Sequence, residues 1–373
     1  MQLCSRETCT GCFACVESCP KQCITMKTGE NGHIYPQIDK AACVHCGICS
    51  KVCERLKKIR KKESVNTYAG WNKDLNQQKK SSSGGIGALL ARKVIEKNGV
   101  VYGAAYNDQW QVEHIRVDSV EEIGRLCGSK YVHSWIGDCY KTVHKDLMAE
   151  KLVLFTGTPC QIAGLYAYLG QEYKNLITID LVCHGVPSRE IYLKELHKIA
   201  DIEKLDNVKF RGDYGYGFTF DYPDKCQVYS IRQSYYMRGF MDCLFCRESC
   251  YRCDYAQEKR VGDITLGDFW GIGKKITFDN PEKRKVSLVL VNTTKGSELI
   301  KELNDSVMLY ERTIEEAIEG NPQLTRPSYK YSKSDRFQQL YPKLGWPWAA
   351  RLCYPKMWMR LILEKMRVIK KVR

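Results

Sequence analysis

The sequence predicts two unlike parts: a short N-terminal α+β module dense in cysteine, then a larger α/β body on a mainly parallel sheet. Ten of the chain's 20 cysteines fall within the first 53 residues, eight of them in two runs of equal spacing. Two strand–turn–helix units of matching plan, residues 152–170 and 176–200, lie further on, as a parallel α/β sheet requires. The 373 residues suffice for one large domain or two to three smaller ones, and a hydrophobic fraction of 44% supports a sizeable core.

The first cysteine run, CTGCFACVESCP, reads Cys9-x2-Cys12-x2-Cys15-x3-Cys19-Pro20, and the second, CVHCGICSKVC, reads Cys43-x2-Cys46-x2-Cys49-x3-Cys53. Tandem runs of this kind are the pattern of a two-cluster bacterial ferredoxin, in which the fourth cysteine of each run serves the other cluster. Each tight loop turns three thiolates around one cubane, and the fourth arrives from the other run. The pattern assigns Cys9, Cys12, Cys15 and Cys53 to one [4Fe–4S] cluster, and Cys43, Cys46, Cys49 and Cys19 to a second. Zinc wants pairs of ligands rather than quartets, and a disulfide scaffold belongs to short secreted chains. Glu54 stands where a second proline is expected, which loosens the turn and spares the ligands. Cys4 and Cys23 fit neither quartet and read as plain residues.

The net charge of +15 is concentrated in two places. Residues 54–63 carry a net +4 and residues 345–373 a net +7, so the remainder is close to neutral. That distribution argues against a nucleic-acid binder and suits a solvated segment, an acidic partner or an anionic membrane surface. The tail GWPWAARLCYPKMWMRLILEKMRVIKKVR mixes Trp346, Trp348, Trp358, Leu361, Ile362 and Met366 with basic residues. It reads as an interfacial amphipathic helix or as a core-packing helix with a basic outer face. No run of 18 apolar residues occurs, and the start lacks a signal-peptide pattern, so the expected location is cytoplasmic, with a possible peripheral hold on the inner membrane face.

In the body, a Ser-Gly-Gly turn at 81–85 precedes a helix with apolar Ile86, Leu89, Leu90, Val94 and Ile95. Gly99 ends it, and VVYGAAY reads as a strand. Such a turn at a helix N-terminus suits an anion such as phosphate, although serine and glycine also make linkers. Cys160 and Cys183 fall just past the carboxyl ends of two buried strands, where open α/β sheets place their sites. Both a buried structural cysteine and a ligand fit those positions. Residues 205–232 read as short strands with turns, RVGDITLGDFWGIGK and KVSLVLVN as further strands, and a helix starts near Thr294. Four cysteines, Cys243, Cys246, Cys250 and Cys253, lie within eleven residues. Cys246-x3-Cys250-x2-Cys253 has the spacing of a radical S-adenosylmethionine enzyme, but only about 120 residues follow it, short for the βα barrel such an enzyme needs.

Five ordered segments carry a family resemblance: SSSGGIGALL (81–90), CGSKYVHSWIG (127–137), FTGTPCQIAGL (155–165), IDLVCHGVPS (179–188) and SCYRCDYAQEKRVGDITLGDFWGI (249–272). Over residues 66–300 the chain resembles the β subunit of the coenzyme F-420 hydrogenase/dehydrogenase family, an iron–sulfur flavoprotein, preceded by a ferredoxin domain. The resemblance implies FAD and a third [4Fe–4S] cluster held by Cys160, Cys183, Cys250 and Cys253, with Cys243 and Cys246 as extras. It also implies a flavin site at Ser83, Gly84, Gly85, Gly128, Ser129, Lys130, Tyr131, Thr158, Pro159 and Gln161. Glycine turns let amides approach phosphates, and Lys130 is placed to neutralise pyrophosphate charge or to polarise the flavin.

The fold class is then an α+β ferredoxin-like two-cluster domain followed by an α/β flavin-binding domain with a mainly parallel sheet. The expected division is 1–56 for the two-cluster domain, 57–82 for a basic linker, 83–344 for the FAD- and [4Fe–4S]-binding catalytic domain, and 345–373 for the basic amphipathic tail. The expected function is an oxidoreductase that passes electrons from reduced ferredoxin, or a similar one-electron donor, through three clusters to FAD and a small-molecule substrate. By resemblance that substrate is a sugar or sugar nucleotide of surface-polysaccharide metabolism. The alternatives are a non-catalytic subunit relaying electrons to a partner enzyme and a deazaflavin oxidoreductase. His184 and His133 are the candidate proton donors, because histidine titrates near neutrality.

Overall fold

The computed structural model describes residues 3–57, 59–212, 215–280 and 284–366. Between the cysteine runs, β1 (Ile24–Thr28) and β2 (Ile34–Ile38) pair antiparallel, with Ile24 opposite Ile38. Next come β3 (Asn66–Asn72), β4 (Val100–Tyr106), β5 (Val112–Val117), β6 (Val153–Gly157) and β7 (Leu176–Leu181). β8 (Asn207–Gly212), β9 (Gly215–Asp221) and β10 (Cys226–Ser230) make a separate antiparallel sheet. With β11 (Ile264–Asp268), β12 (Ser287–Val291) and β13 (Val307–Arg312), the large sheet has eight strands in the order β13-β3-β12-β11-β7-β6-β4-β5.

Parallel pairing is confined to the four central strands β11, β7, β6 and β4, while β5, β12, β3 and β13 pair antiparallel. The expected mainly parallel sheet therefore holds at the centre, and the flanks make the whole a mixed sheet. Connection length is one cause: only residues 107–111 join β4 to β5, enough for a hairpin and too few for a crossover helix.

Residues 57–82, expected as a basic linker, contain an interior strand. β3 pairs with both β12 and β13, and the helix Leu75–Lys79 follows it. Thr67, Ala69 and Trp71 are buried at alternate positions, a strand pattern that the neighbouring lysines and arginines obscured. Lys62 is already tied to the body, its backbone bridging to Arg260 and its ammonium lying 3.1 Å from Asp263.

One face of the sheet is covered by the helix Ile86–Glu96, whose Ile86, Leu89, Leu90, Val94 and Ile95 pack on Leu154, Ile179, Ile264 and Val289. These are the apolar positions expected from the 3.6-residue period. The stop differs by one residue: Asn98 takes the left-handed conformation, and Gly99 is needed because a β-carbon there would stand 2.6 Å from the Leu152 carbonyl. The other face is covered by the helices Cys139–Met148 and Pro159–Leu169. Phe13, Ala14 and Ile34 of the cysteine-rich module belong to that same core.

The C-terminal part forms the helices Ser334–Leu344, Trp348–Cys353 and Pro355–Lys365. The last residues of the expected tail, 367–373, lie outside the described residues. No helix among the described residues is long and apolar enough to cross a membrane.

Candidate functional site

The two cysteine loops share one backbone plan. Gly11 and Phe13 in the first, and His45 and Gly47 in the second, are left-handed at the second and fourth positions after the leading cysteine. Glycine accepts that conformation at no steric cost, whereas Phe13 and His45 are strained in it by about 1–2 kcal/mol. Phe13 is held there by packing, buried with its ring 4.6 Å from that of Trp135. Each loop curls around a hollow. Cys9, Cys12, Cys15 and Cys53 line one, and Cys19, Cys43, Cys46 and Cys49 line the other. Each hollow thus takes three thiols from one run and one from the other. Four thiols around an enclosed space suit a [4Fe–4S] cluster, and backbone amides of Gly11, Ala14, Leu56 and Gln22 point at the sulfurs of Cys9, Cys12, Cys53 and Cys19.

The hollows hold two further thiols that the spacing did not single out. Cys4 lines the first and Cys23 the second. Hydrogen bonds from the Cys4 thiol pull both Cys9 and Cys53 down to about 6, with the Arg247 guanidinium adding to the effect at Cys9. Cys23 Sγ lies 3.4 Å from Cys19 Sγ.

The module sits against the body through polar contacts at its loops. The Glu17 carboxylate accepts from the backbone N–H groups of Tyr140 at 3.3 Å and Lys141 at 2.9 Å, at the start of the helix Cys139–Met148. Arg247, buried to 1% exposure, donates to the carbonyls of Ile34 at 2.8 Å and Cys9 at 3.3 Å. Glu54, the residue in place of proline, accepts from Thr10 at 2.6 Å and from the Tyr255 hydroxyl, and burial lifts its carboxyl to about 7. At Gly164, on the helix Pro159–Leu169, the module meets the body without any gap for a side chain.

A second group of cysteines converges at the carboxyl ends of the parallel strands. Cys160 lies in the first turn of the helix after β6, and Cys183 lies two residues past β7. Cys250 is in the short 3-10 turn Glu248–Arg252, and Cys253 follows it. The loops are tied together: Arg247 N donates to Val186 O at 2.9 Å, and Val186 N donates to Cys250 Sγ at 3.4 Å. Buried Asp180 anchors the segment after Cys253, accepting from Arg260 and from the amides of Val261 and Gly262. Burial and then mutual repulsion push the thiols of Cys160, Cys183 and Cys250 up, Cys183 to about 12, and Cys253 repels all three. Four half-buried cysteines whose charges repel one another suit a positively charged iron centre. Cys243 and Cys246 are near neighbours: Cys246 Sγ packs at Gly185, and Cys243 Sγ is 3.2 Å from His184 Nε2. A hydrogen bond from Cys246, opposed by burial and reinforced by His184, holds Cys243 down at about 5.

The residues expected around a flavin are gathered only in part. Ser129 N donates to Ser82 Oγ at 2.5 Å, which joins the Ser-Gly-Gly turn to the 127–131 segment. Gly85 is left-handed and no side chain caps the helix Ile86–Glu96; Gly128 borders open space. Lys130 donates to the carbonyls of Cys127 at 2.9 Å and Gly128 at 3.2 Å, and burial lowers its ammonium to about 8. Other members are engaged inside the protein. Gly84 N donates to Ser287 Oγ at 2.8 Å and Ser83 Oγ to Val286 O at 3.1 Å. Thr158 and Gln161 cap their own helix around Pro159, and Tyr131 stacks on Phe240.

The two candidate proton donors part company. His133 is buried beneath Gly11 beside Arg247 and His33, and burial followed by the Arg247 charge drives its pKa far below the ordinary value. Its neutral form is thus favoured where the module meets the body. His184 is half-buried beside Cys243; burial, the largest effect, disfavours its charge, yet the Cys243 hydrogen bond and charge and the Phe240 and Met241 backbone together outweigh it, and its pKa is raised.

A ferredoxin-like hairpin module with cysteine-lined hollows, docked on an α/β body with further clustered cysteines, defines an iron–sulfur protein of oxidoreductase type. Residues 150–317 match the family described as the C terminus of the coenzyme F-420 hydrogenase/dehydrogenase beta subunit, and residues 8–55 match the 4Fe-4S dicluster domain. The chain thus carries, over residues 150–317, a region similar to the C terminus of that β subunit, with a 4Fe-4S dicluster domain ahead of it. It is 22% identical over 281 residues to an F(420)H(2) dehydrogenase subunit of Methanosarcina mazei, covering 71% of this chain and 78% of that protein. An uncharacterized protein in the rpl9-rpl11 intergenic region of Porphyra purpurea is 41% identical over 59 residues, 15% of this chain and 79% of its own length. A chain of the xenon-derivatized F-420-reducing [NiFe] hydrogenase complex of Methanosarcina barkeri aligns with a TM-score of 0.48 and 17% identity, covering 70% of this chain and 91% of that one.

Proposed function

We propose that this protein is an electron-relay subunit with three [4Fe–4S] sites, taking single electrons from ferredoxin or a similar donor for a partner redox enzyme. When bound, such clusters supply one-electron transfer at potentials set by charge, hydrogen bonds and burial. The chain's own residues do the rest. Cys9, Cys12, Cys15 and Cys53 hold the first site, Cys19, Cys43, Cys46 and Cys49 the second, and Cys160, Cys183, Cys250 and Cys253 the third. Gly164, lacking a side chain, lets the Cys12 loop lie directly on the helix whose first turn carries Cys160. That close approach is the observation that carries the proposal, since electron transfer depends on short separations between sites. The test is iron content and EPR of the anaerobically reconstituted full chain beside its Cys160→Ala variant. The variant should lose the iron of one cubane, keep a reducible dicluster module and stop reducing an added acceptor. Unchanged iron in Cys160→Ala would defeat the assignment.

A second reading, an F-420 or FAD oxidoreductase, is favoured by the uncapped helix start at Gly85 beside Gly128 and Lys130. There the first-turn amides would hold a phosphate and Lys130 would neutralise its charge. Flavin co-purifying with the chain and lost on Lys130→Glu would promote this reading over the relay. A sugar or sugar-nucleotide acceptor gains no support from a particular residue of the site, so the relay takes precedence over it.

The C-terminal helix supports a membrane surface as a further partner. Met357, Trp358 and Leu361 of the helix Pro355–Lys365 pack inward, while Met359, Ile362 and Met366 are exposed along one outer ridge. The outer face is thus apolar where a solvated helix would be polar, and the basic tail complements anionic headgroups.

A further inference from the structure

Each hollow of the dicluster module is lined by five thiols rather than four: Cys4, Cys9, Cys12, Cys15 and Cys53 in one, Cys19, Cys23, Cys43, Cys46 and Cys49 in the other. The fifth thiol occupies an equivalent place in both. Cys4 neighbours Cys9 and Cys53, the first cysteine of one run and the last of the other. Cys23 Sγ lies 3.4 Å from Cys19 Sγ and neighbours Cys43, which are again a last and a first cysteine.

The internal repeat does not account for this. Cys4 precedes its run by five residues, and Ile38 stands at the corresponding place before the second run. Cys23 follows Cys19 by four residues, and Lys57 stands at the corresponding place after Cys53. Two unrelated sequence positions thus deliver a thiol to the same point of two symmetric sites. A cysteine serving only as a small core residue would face apolar side chains. These two face the sulfurs of ligand positions and open onto the hollows.

We propose that Cys4 and Cys23 are reserve ligands, each able to take over the iron of its hollow from the adjoining cysteine of the far run. The inference rests on the reading of the hollows as cluster sites. In the exchange at the second hollow, the bond from iron to Cys19 Sγ breaks and one from iron to Cys23 Sγ forms. The proton of the Cys23 thiol passes to the departing Cys19 thiolate across their existing contact, or to water where Cys19 is alkylated, oxidised or replaced, and no electrons are gained or lost. Cys4 and Cys53 exchange in the same way at the first hollow. Loss of one ligand, by oxidation or by alkylation, then leaves the cube four-coordinated by sulfur rather than open at one corner.

The test compares the anaerobically reconstituted full chain with Cys19→Ala, Cys23→Ala and the double variant, reading iron per chain and the EPR signal after dithionite reduction. Cys19→Ala should keep the wild-type iron with an altered signal. Cys23→Ala should keep both iron and signal, and the double variant should lose the iron of one cubane. Equal iron loss in Cys19→Ala and in the double variant overturns the reserve role while leaving the cluster sites intact. Iron loss in Cys23→Ala alone overturns it too, by making Cys23 an obligatory ligand. A wild-type chain with no iron in the module would instead bring down the underlying site assignment. Should the Cys19 variants lose their far-UV circular dichroism, Cys53→Ala, Cys4→Ala and their double variant give the same comparison at the first hollow.

Discussion

Cys12 and Gly164 touch so closely that a β-carbon on residue 164 would stand 2.8 Å from the Cys12 β-carbon and 3.1 Å from its sulfur. The Tyr140 hydroxyl would be 2.9 Å away on another side. In an open helix, alanine in place of glycine gains about 1 kcal/mol. Here overpacking costs about 1–3 kcal/mol, and the contact is with backbone-anchored atoms that cannot swing aside. Gly164→Ala should therefore lower the thermal midpoint despite the better helix propensity. It should also slow reduction of an acceptor through the body more than reduction of the dicluster module. Stopped-flow with reduced ferredoxin separates the two rates.

Arg247 places a buried positive charge beside Cys9. Reduction of a cluster adds negative charge, which that guanidinium stabilises, so Arg247→Leu should lower the midpoint potential of the first site. EPR-monitored redox titration reads this, and Arg247→Lys should shift it less. Arg247→Leu also strips the Ile34 and Cys9 carbonyls of their donor, at a cost of about 1–3 kcal/mol per buried group. An unchanged potential would remove Arg247 from the tuning of this site.

Lys130 titrates early because burial strips water from its ammonium, which lowers its pKa to about 8. The folded amine thus sheds its proton before the unfolded one, whose pKa is about 10.4. Between these values the unfolded chain binds more protons, so stability should rise with pH, and the gain should be lost as pH falls through about 8. Denaturant titrations across that window should show the slope in the wild type and its loss in Lys130→Met. Inorganic pyrophosphate binding at Gly85 should weaken over the same range as Lys130 loses its charge.

The ridge of Met359, Ile362 and Met366 should decide membrane contact. Sedimentation with phosphatidylglycerol vesicles should retain the full chain at low salt and release it as salt screens the tail. Met359→Glu with Ile362→Glu should abolish binding without lowering the thermal midpoint, since both side chains are exposed. Equal pelleting of wild type and variant would end the proposal.

The sequence alone determined the dicluster module, the helix Ile86–Glu96 and the two central strand–turn–helix units. Each is written in local spacing: cysteines at fixed intervals, apolar residues at the helical period, buried strands followed by turns. Tertiary structure decided what such spacing cannot express. β3 emerged from a stretch that charge marked as linker, because its partners β12 and β13 lie more than 200 residues away. The place of His133, against Gly11 and Arg247 at the seam of module and body, likewise came only from the folded chain. Cys4 and Cys23 looked ordinary because neither keeps the repeat spacing, and only folding the two runs around shared hollows brings their thiols to the ligand sulfurs. Local periodicity fixes elements, but which side chains meet depends on long-range closure of the chain, and that closure leaves no mark in spacing.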